Sequence, residues 1–363
     1  MLDVRRVDID KTKRTIVISD IHANLELFKK LLDKLNYTDD DYLFINGDLC
    51  EKGDNSLDVI EFVRNLSRET KHVYVTKGNC DVLHRSVYNG SEWIIPYMNT
   101  RKKSVLNEML SIKGRSLDDF PSIEELSQFY RQHFHNEIEW IESLPIAYET
   151  DDYIIVHAGI DRIEDWKKTE ESMALSLPAF YEKEHYAEKM VIVGHWPVVN
   201  YRSDEICSHN PIIDLHKRII SIDGGNQIKD DGQLNALVIE KDTYTFIYVD
   251  ELKEEKVVHR DYTDSLNRKG TVTYPNYEMK IIKKEPYFTL CENSNLGFQQ
   301  WIKNEYLSYK EDQVYCKDDL STTFLSVKQG EKVWIVDKEC DGFVLVKNGD
   351  GEVGWIPFEC LGS

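Results

Sequence analysis

Before residue 200, five apolar runs each stop abruptly at an Asp, Asn or His, usually with a glycine beside it. They end in Ser19-Asp20-Ile21-His22, Gly47-Asp48, Gly78-Asn79-Cys80-Asp81, Val156-His157-Ala158-Gly159 and Gly194-His195-Trp196. The runs themselves, such as Thr15-Ile16-Val17-Ile18 and Tyr42-Leu43-Phe44-Ile45, are short and rich in β-branched and aromatic residues, which predicts buried strands. Between the first three, Leu25, Leu27, Phe28, Leu31, Leu32 and Leu35, then Leu57, Val59, Ile60, Val63 and Leu66, recur at helical spacing. A β-α-β-α-β order demands an α/β sheet with crossover helices. In such sheets the loops at the carboxyl ends of the strands converge on one crevice. The polar residues at the strand ends are therefore expected to share a site.

That shared set is hard oxygen plus imidazole. It suits manganese, iron or zinc better than calcium, and it lacks the thiolates of a structural zinc site. Two ions about 3.5–4 Å apart need a shared carboxylate, and Asp48 is the natural bridge. Asp20 and His22 would complete one metal; Asn79, His157 and His195 would complete the other. A water between two such ions becomes hydroxide near neutral pH and can attack phosphorus in line, while the metals offset the charge on the phosphate oxygens.

Taken in order, these stretches resemble the metallophosphoesterase (calcineurin-like) superfamily, in particular its phosphoprotein-phosphatase branch. That branch includes bacterial Ser/Thr-type phosphatases and symmetrical dinucleoside-tetraphosphate hydrolases. The family pattern runs GDxHG, GDxxDRG, GNH(D/E), HGG and GH; this chain reads SDIHAN, GDLCEKG, GNCD, HAGI and GHWP. The likeness spans about residues 14–248 and includes Ser221-Ile222-Asp223-Gly224-Gly225. Other branches carry a second His two places after the last one, where this chain has Pro197. The resemblance implies a metallophosphoesterase β-sandwich flanked by helices, and a metal-dependent phosphatase acting on a phosphoprotein, phosphopeptide or small phosphomonoester. Hydrolysis of a phosphodiester or dinucleoside polyphosphate is the alternative. A phosphatase-like scaffold that works through its tail is another.

The departures bear on the chemistry. Where the family holds a His to protonate the leaving oxygen, this chain has Cys80, followed by Asp81. The family's Asp partner of that His corresponds to Glu51, and its phosphate-clamping Arg to Lys52, which keeps the charge but loses the bidentate fork. A thiol with an ordinary pKa near 8.5 can donate a proton, but less readily than imidazolium. The resemblance thus assigns Cys80, Asp81, Glu51 and Lys52 to catalysis; a small buried thiol is the alternative for Cys80.

From about residue 83 to 145 strand signals give way to helical ones, which predicts a helical insertion or cap within a catalytic domain spanning 1–250. After about Glu251 short strands and polar turns take over. An internal repeat appears there: Phe288-Thr289-Leu290 precedes Trp301-Ile302 through Leu307 much as Phe343-Val344-Leu345 precedes Trp355-Ile356 through Leu361. This tail resembles tandem SH3-like domains, and two small all-β barrels are expected over 251–309 and 310–363. SH3 grooves bind polyproline segments on aromatic ladders. Here the groove positions read Phe343 and Cys360, so Trp301 and Trp355 are expected to pack inside; a protein or peptide partner of the tail is expected.

Composition narrows partners. The net charge of −20 repels nucleic-acid backbones and anionic lipid surfaces, so neither nucleic acid nor membrane is an expected partner. The start, MLDVRRVDIDKTKR, lacks an apolar signal region. Seven scattered cysteines without a CxxC pair fit a reducing compartment, and a cytoplasmic location is expected.

Overall fold

The structure, a computed structural model, describes every residue except 242, 312 and 363. Two compact units divide the chain. One comprises 1–196, 211–228 and 233–249; the other comprises 197–210, 229–232 and 250–363.

The first unit contains strands β1 (Val4–Arg6), β2 (Thr15–Ile18), β3 (Tyr42–Asn46), β4 (Val73–Thr76), β5 (Ala147–Glu149), β6 (Tyr153–Val156), β7 (Met190–Val193), β8 (Ile212–Asp214), β9 (Ile219–Ser221), β10 (Gln233–Glu240) and β11 (Thr243–Asp250). They form a five-stranded sheet ordered β11-β10-β2-β3-β4 and a six-stranded sheet ordered β1-β5-β6-β7-β9-β8. Strands β2, β3 and β4 run parallel, as do β6, β7 and β9.

Alternation along each strand explains the layering. Val17, Phe44 and Leu237 from one sheet meet Tyr148, Ile155, Ile192 and Ile220 from the other in a common core. Their neighbours face outwards: Ile16, Ile18, Leu43 and Ile45 pack under helices, and Ile154, Val156, Val191 and Val193 form a separate outer core. This is the sandwich the family resemblance implies. Both faces of the central strands are covered, so they read as unbroken apolar runs rather than alternating ones.

Helix α1 (Leu25–Leu35) links β2 to β3 and buries Leu27, Phe28, Leu31, Leu32 and Leu35. Asn24 caps it, accepting the Leu27 N–H at 3.2 Å, and Asn36 ends it in the left-handed region. Helix α2 (Ser56–Glu69) links β3 to β4. The insertion holds α3 (His84–Tyr88), α4 (Ile94–Thr100), α5 (Val105–Ser111), α6 (Ile123–His133) and α7 (His135–Ser143). Val87, Ile94, Met98, Leu106, Leu126, Tyr130 and Ile141 join the same core as Ile16, Phe28 and Leu43. The insertion therefore thickens the helical layer, where the sequence also suggested a cap. Strands β1, β5 and β8, each three residues long, lack a sequence signal of their own because pairing, not composition, holds them. No helix among the described residues is long and apolar enough to cross a membrane.

The second unit differs from the expected boundary at 250, because it takes in the loops 197–210 and 229–232. The physical reason is hydrogen bonding: Cys207 N–H donates to Thr323 Oγ1 at 3.0 Å, Val353 N–H to the Cys207 carbonyl at 2.9 Å, and Asn210 Nδ2 to the Asp350 carbonyl at 2.8 Å. Its strands are β12 (Glu255–Val257), β13 (Thr271–Val272), β14 (Glu278–Lys284), β15 (Phe288–Asn293), β16 (Gln299–Lys303), β17 (Leu307–Lys310), β18 (Gln313–Cys316), β19 (Leu320–Ser321), β20 (Lys332–Asp337), β21 (Phe343–Asn348) and β22 (Val353–Pro357). These strands pair antiparallel. The sequence repeat is a hairpin: Leu290 pairs with Trp301 and Leu345 with Trp355, and a one-turn 3₁₀ helix follows each. One core brings Phe288, Cys291 and Ile302 against Leu345, Val353 and Trp355, and a second gathers Leu325, Val333, Val344, Val346 and Ile356. Two tandem barrels were expected over 251–309 and 310–363; the first of these cores crosses that boundary. Trp355 is fully buried, with its indole N–H on the Ser321 carbonyl at 2.8 Å. Trp301 is half-buried.

Candidate metal centre

Asp20 and His22 follow β2, Asp48 follows β3, Asn79 follows β4, His157 follows β6 and His195 follows β7. All lie at carboxyl ends of parallel strands, three strands from one sheet and two from the other. Each chain must turn sharply there, and the backbone shows it. Asp20, His22, Asp48 and His195 all have positive φ, between 47° and 65°, a conformation disfavoured for side-chain-bearing residues and concentrated at functional sites. Two glycines make room for the carboxylates. A Cβ on Gly78 would sit 2.1 Å from Asp48 Oδ1, and one on Gly194 would sit 2.2 Å from Asp20 Oδ2.

The six expected ligands come together. His157 Nε2 lies 3.1 Å from Asn79 Oδ1 and 3.3 Å from Asp48 Oδ1. His22 Nε2 lies 3.8 Å from Asp20 Oδ1 and 3.9 Å from Asp48 Oδ2. Asp48 thus stands between two histidines with one oxygen towards each. The His157 and His195 rings are 5.2 Å apart, and the His195 N–H donates to Asp20. Backbone carbonyls orient two of the rings: Cys50 O sits 3.1 Å from His22 Nδ1, and Asn46 O sits 3.0 Å from His157 Nδ1. Both rings therefore turn Nε2 inwards, as metal-ligating histidines do.

Electrostatics test whether the set fits a cation. Burial, with the charge of Asp48 adding to it, pushes Asp20 up to about 7. Burial opposes protonation of His157, but the Asp48 carboxylate wins and lifts it to about 10. Burial, reinforced by His157, lowers His195 to about 4. Burial would raise Asp48, yet His157 and His22 hold it well below the carboxylate range. Such a buried, mutually perturbed set is costly unless a cation compensates it. His22 Nε2, buried and aimed inwards, has no hydrogen-bond partner among the described residues. The residues fit divalent cations: His22, Asp48 and Cys80, and separately Asp48, His157 and His195, each bring three donor atoms within 4.8 Å of one another.

Residues 13–211 match the family model for calcineurin-like phosphoesterase. The chain belongs to that family. Residues 303–362 match the variant SH3 domain model. Among curated relatives, a symmetrical bis(5'-nucleosyl)-tetraphosphatase of Buchnera aphidicola is 35% identical over 134 residues, covering 35% of this chain and 46% of that protein. An asymmetrical bis(5'-nucleosyl)-tetraphosphatase of Halalkalibacterium halodurans is 28% identical over 174 residues, covering 44% of this chain and 63% of that protein. The chain thus spans less than two thirds of either relative. A solved serine/threonine phosphatase from Saccharomyces cerevisiae aligns with a TM-score of 0.44 and 12% identity over 70% of this chain and 85% of that one.

Within this calcineurin-like site the residues around the cage fall into distinct places. Asp81, expected to be catalytic, sits behind the Asp48 turn as a clasp. Its buried carboxylate accepts the N–H groups of Gly78, Asp48, Leu49 and Cys50 at 2.8–3.1 Å. Glu51 faces the insertion, accepting the Tyr97 hydroxyl and the Val105 N–H, each at 2.6 Å. No hydrogen bond joins it to Cys80 among the described residues. The Cys80 thiol lies beside His22 and Asp48; burial and then the Asp48 charge push it far above its ordinary value. Lys52 has φ of 70° and makes no ion pair among the described residues.

Three further residues support the turns around the site, of which only Asp223 stands in a stretch that the sequence singled out. Asn46 donates to the Val156 carbonyl at 3.0 Å and accepts from Thr76, joining the two sheets beneath the site. Asn226 donates to the Ile21 carbonyl at 2.7 Å and so holds the Asp20–His22 turn. Asp223, pushed up to about 8 by burial and Asp20, accepts the Gly225 N–H at 2.8 Å. A polar residue closing an otherwise apolar strand was the available signal for Asn46.

Proposed function

We propose that the chain is a metal-dependent hydrolase of phosphate esters and anhydrides, with a dinucleoside polyphosphate as its preferred substrate class. Asp20, His22, Asp48, Asn79, His157 and His195 would hold two divalent ions, manganese foremost, with iron or zinc as alternatives. Such ions supply Lewis acidity, an activated water and charge neutralisation for in-line displacement at phosphorus. The chain's own residues do the rest. Asp48 joins the two halves of the cage, the carbonyls of Cys50 and Asn46 keep His22 and His157 turned inwards, and Lys52 offers a cation to the phosphate.

The observation that carries the substrate reading is the commitment of Glu51 to Tyr97 and Val105. Glu51 therefore does not orient an acid at position 80, where the group is a thiol against the Asp48 carboxylate. A serine leaving group departs as an alkoxide, nearly as basic as hydroxide (water pKa about 15.7), and needs a well-placed acid. A phosphoanhydride leaving group, whose pKa is about 6, needs little protonation. The tetraphosphatase relatives support the same direction. A phosphomonoester or phosphoprotein is the second reading, favoured by the position of the Cys80 thiol inside the site.

The test is kcat/KM on a dinucleoside tetraphosphate, an aryl phosphomonoester, an aryl phosphodiester and a phosphopeptide, using the manganese-loaded full chain. Preference for the tetraphosphate is expected. Preference for the phosphopeptide overturns the substrate reading. A metal-loaded chain that hydrolyses none of them overturns the activity and leaves a scaffold. A peptide partner for the C-terminal unit is proposed on the SH3 match alone.

A further inference from the structure

Cys207 and His209 lie on an extended segment whose middle residue, Ser208, bridges to Glu352. Residues two apart on such a segment project to the same side. Both side chains are buried, at 1% and 0% exposure. Asp231, on the turn 229–232, meets them: its Oδ1 lies 2.9 Å from His209 Nε2. One donor atom from each of the three residues lies within 4.8 Å of the other two. We propose that Cys207, His209 and Asp231 form a second metal site, in the C-terminal unit, for a zinc-like divalent cation.

The donor chemistry selects the ion. Sulfur, imidazole nitrogen and one carboxylate oxygen suit zinc and exclude the hard cations magnesium and calcium, which take all-oxygen sets. The scaffold is prearranged. Cys207 is fixed on both sides of its backbone by Thr323 and Val353. The Asp231 turn is closed by the Gly232 N–H on the Lys229 carbonyl at 3.0 Å and anchored by the Lys229–Asp319 ion pair. Burial, with the Asp231 charge adding to it, pushes the Cys207 thiol up to about 12, and the Thr271 and Ser321 hydroxyls offset that only in part. A His–Asp ion pair alone would need no sulfur turned towards it. On binding, the Cys207 S–H bond breaks, the sulfur pair bonds the cation, and the proton leaves to solvent. Three protein donors leave a fourth position for water. The ion would tie the loops 197–210 and 229–232 to each other.

The test is cobalt titration of the full chain after chelation, read by the thiolate-to-cobalt charge-transfer band and by bound metal per chain. Wild type and Cys80→Ser are expected to show the band, because Cys80 is the other thiol near metal-type donors. Cys207→Ser is expected to lose it together with about one ion per chain. Asp231→Asn, which keeps the fold's volume, is expected to weaken the band's titration by at least about tenfold, the loss that even outer-sphere partners produce. Absence of the band in wild type with cobalt in excess overturns the site. So does a band lost only in Cys80→Ser, or unchanged affinity in Asp231→Asn.

Discussion

His157 Nε2 stands 3.3 Å from Asp48 Oδ1, while His22 faces the other oxygen of the same carboxylate. One side chain thereby joins donors from two sheets. Asp48→Asn is expected to reduce turnover to background and to lower bound metal. Turnover with metal analysis on the same sample checks it; wild-type-like activity would sink the two-metal reading.

Asp81→Ala removes the acceptor of four buried backbone N–H groups. Each orphaned group costs about 1–3 kcal/mol, so a loss of at least about 3 kcal/mol is expected, with activity falling because the Asp48 turn loosens. The denaturant midpoint of the apo chain reads the stability effect without bound metal. An unchanged midpoint would show that solvent replaces the clasp.

Cys80→His places an imidazole at the acid position, where Glu51, which holds Tyr97, does not orient it. Monoesterase activity is expected to rise relative to tetraphosphate cleavage, up to about 10²-fold, the low end for general acid catalysis. A falling ratio with intact metal binding would count against the placement.

Glu142 accepts Arg85 Nε at 2.6 Å and His84 Nε2 at 2.8 Å. Partial burial would raise its carboxyl, but the Arg85 and His84 bonds outweigh that and hold it well below the usual range. A depressed carboxyl stabilises the fold above its unfolded value of about 4.3 and loses that contribution as pH falls further. Melting temperature should therefore drop more steeply below about pH 5 in wild type than in Glu142→Gln. Parallel profiles would refute it.

Truncation after Asp250 removes Thr323, Asp350 and Val353, which seat the loop 197–210. Because that loop directly follows His195, the truncated chain is expected to be less soluble and to bind less metal than the full chain. A truncated chain with wild-type metal content would show that the loop needs no seat.

The order of strands and helices, and the six donors at strand ends, could be read from sequence because each depends on neighbours within a few residues. Apolar runs, helical spacing and the residue closing each run are local. The hairpin repeat around Trp301 and Trp355 was legible for the same reason. Tertiary structure alone decided which carboxylate faces inwards. Asp48 and Asp81 look alike in sequence, yet one points into the cage and the other is spent on backbone amides. It also decided that Glu51 turns to Tyr97, that Asn46 joins the sheets, and that Cys207 and His209 meet Asp231. Those outcomes depend on partners tens of residues away, and hydrogen bonds to distant residues leave no periodic trace in the chain.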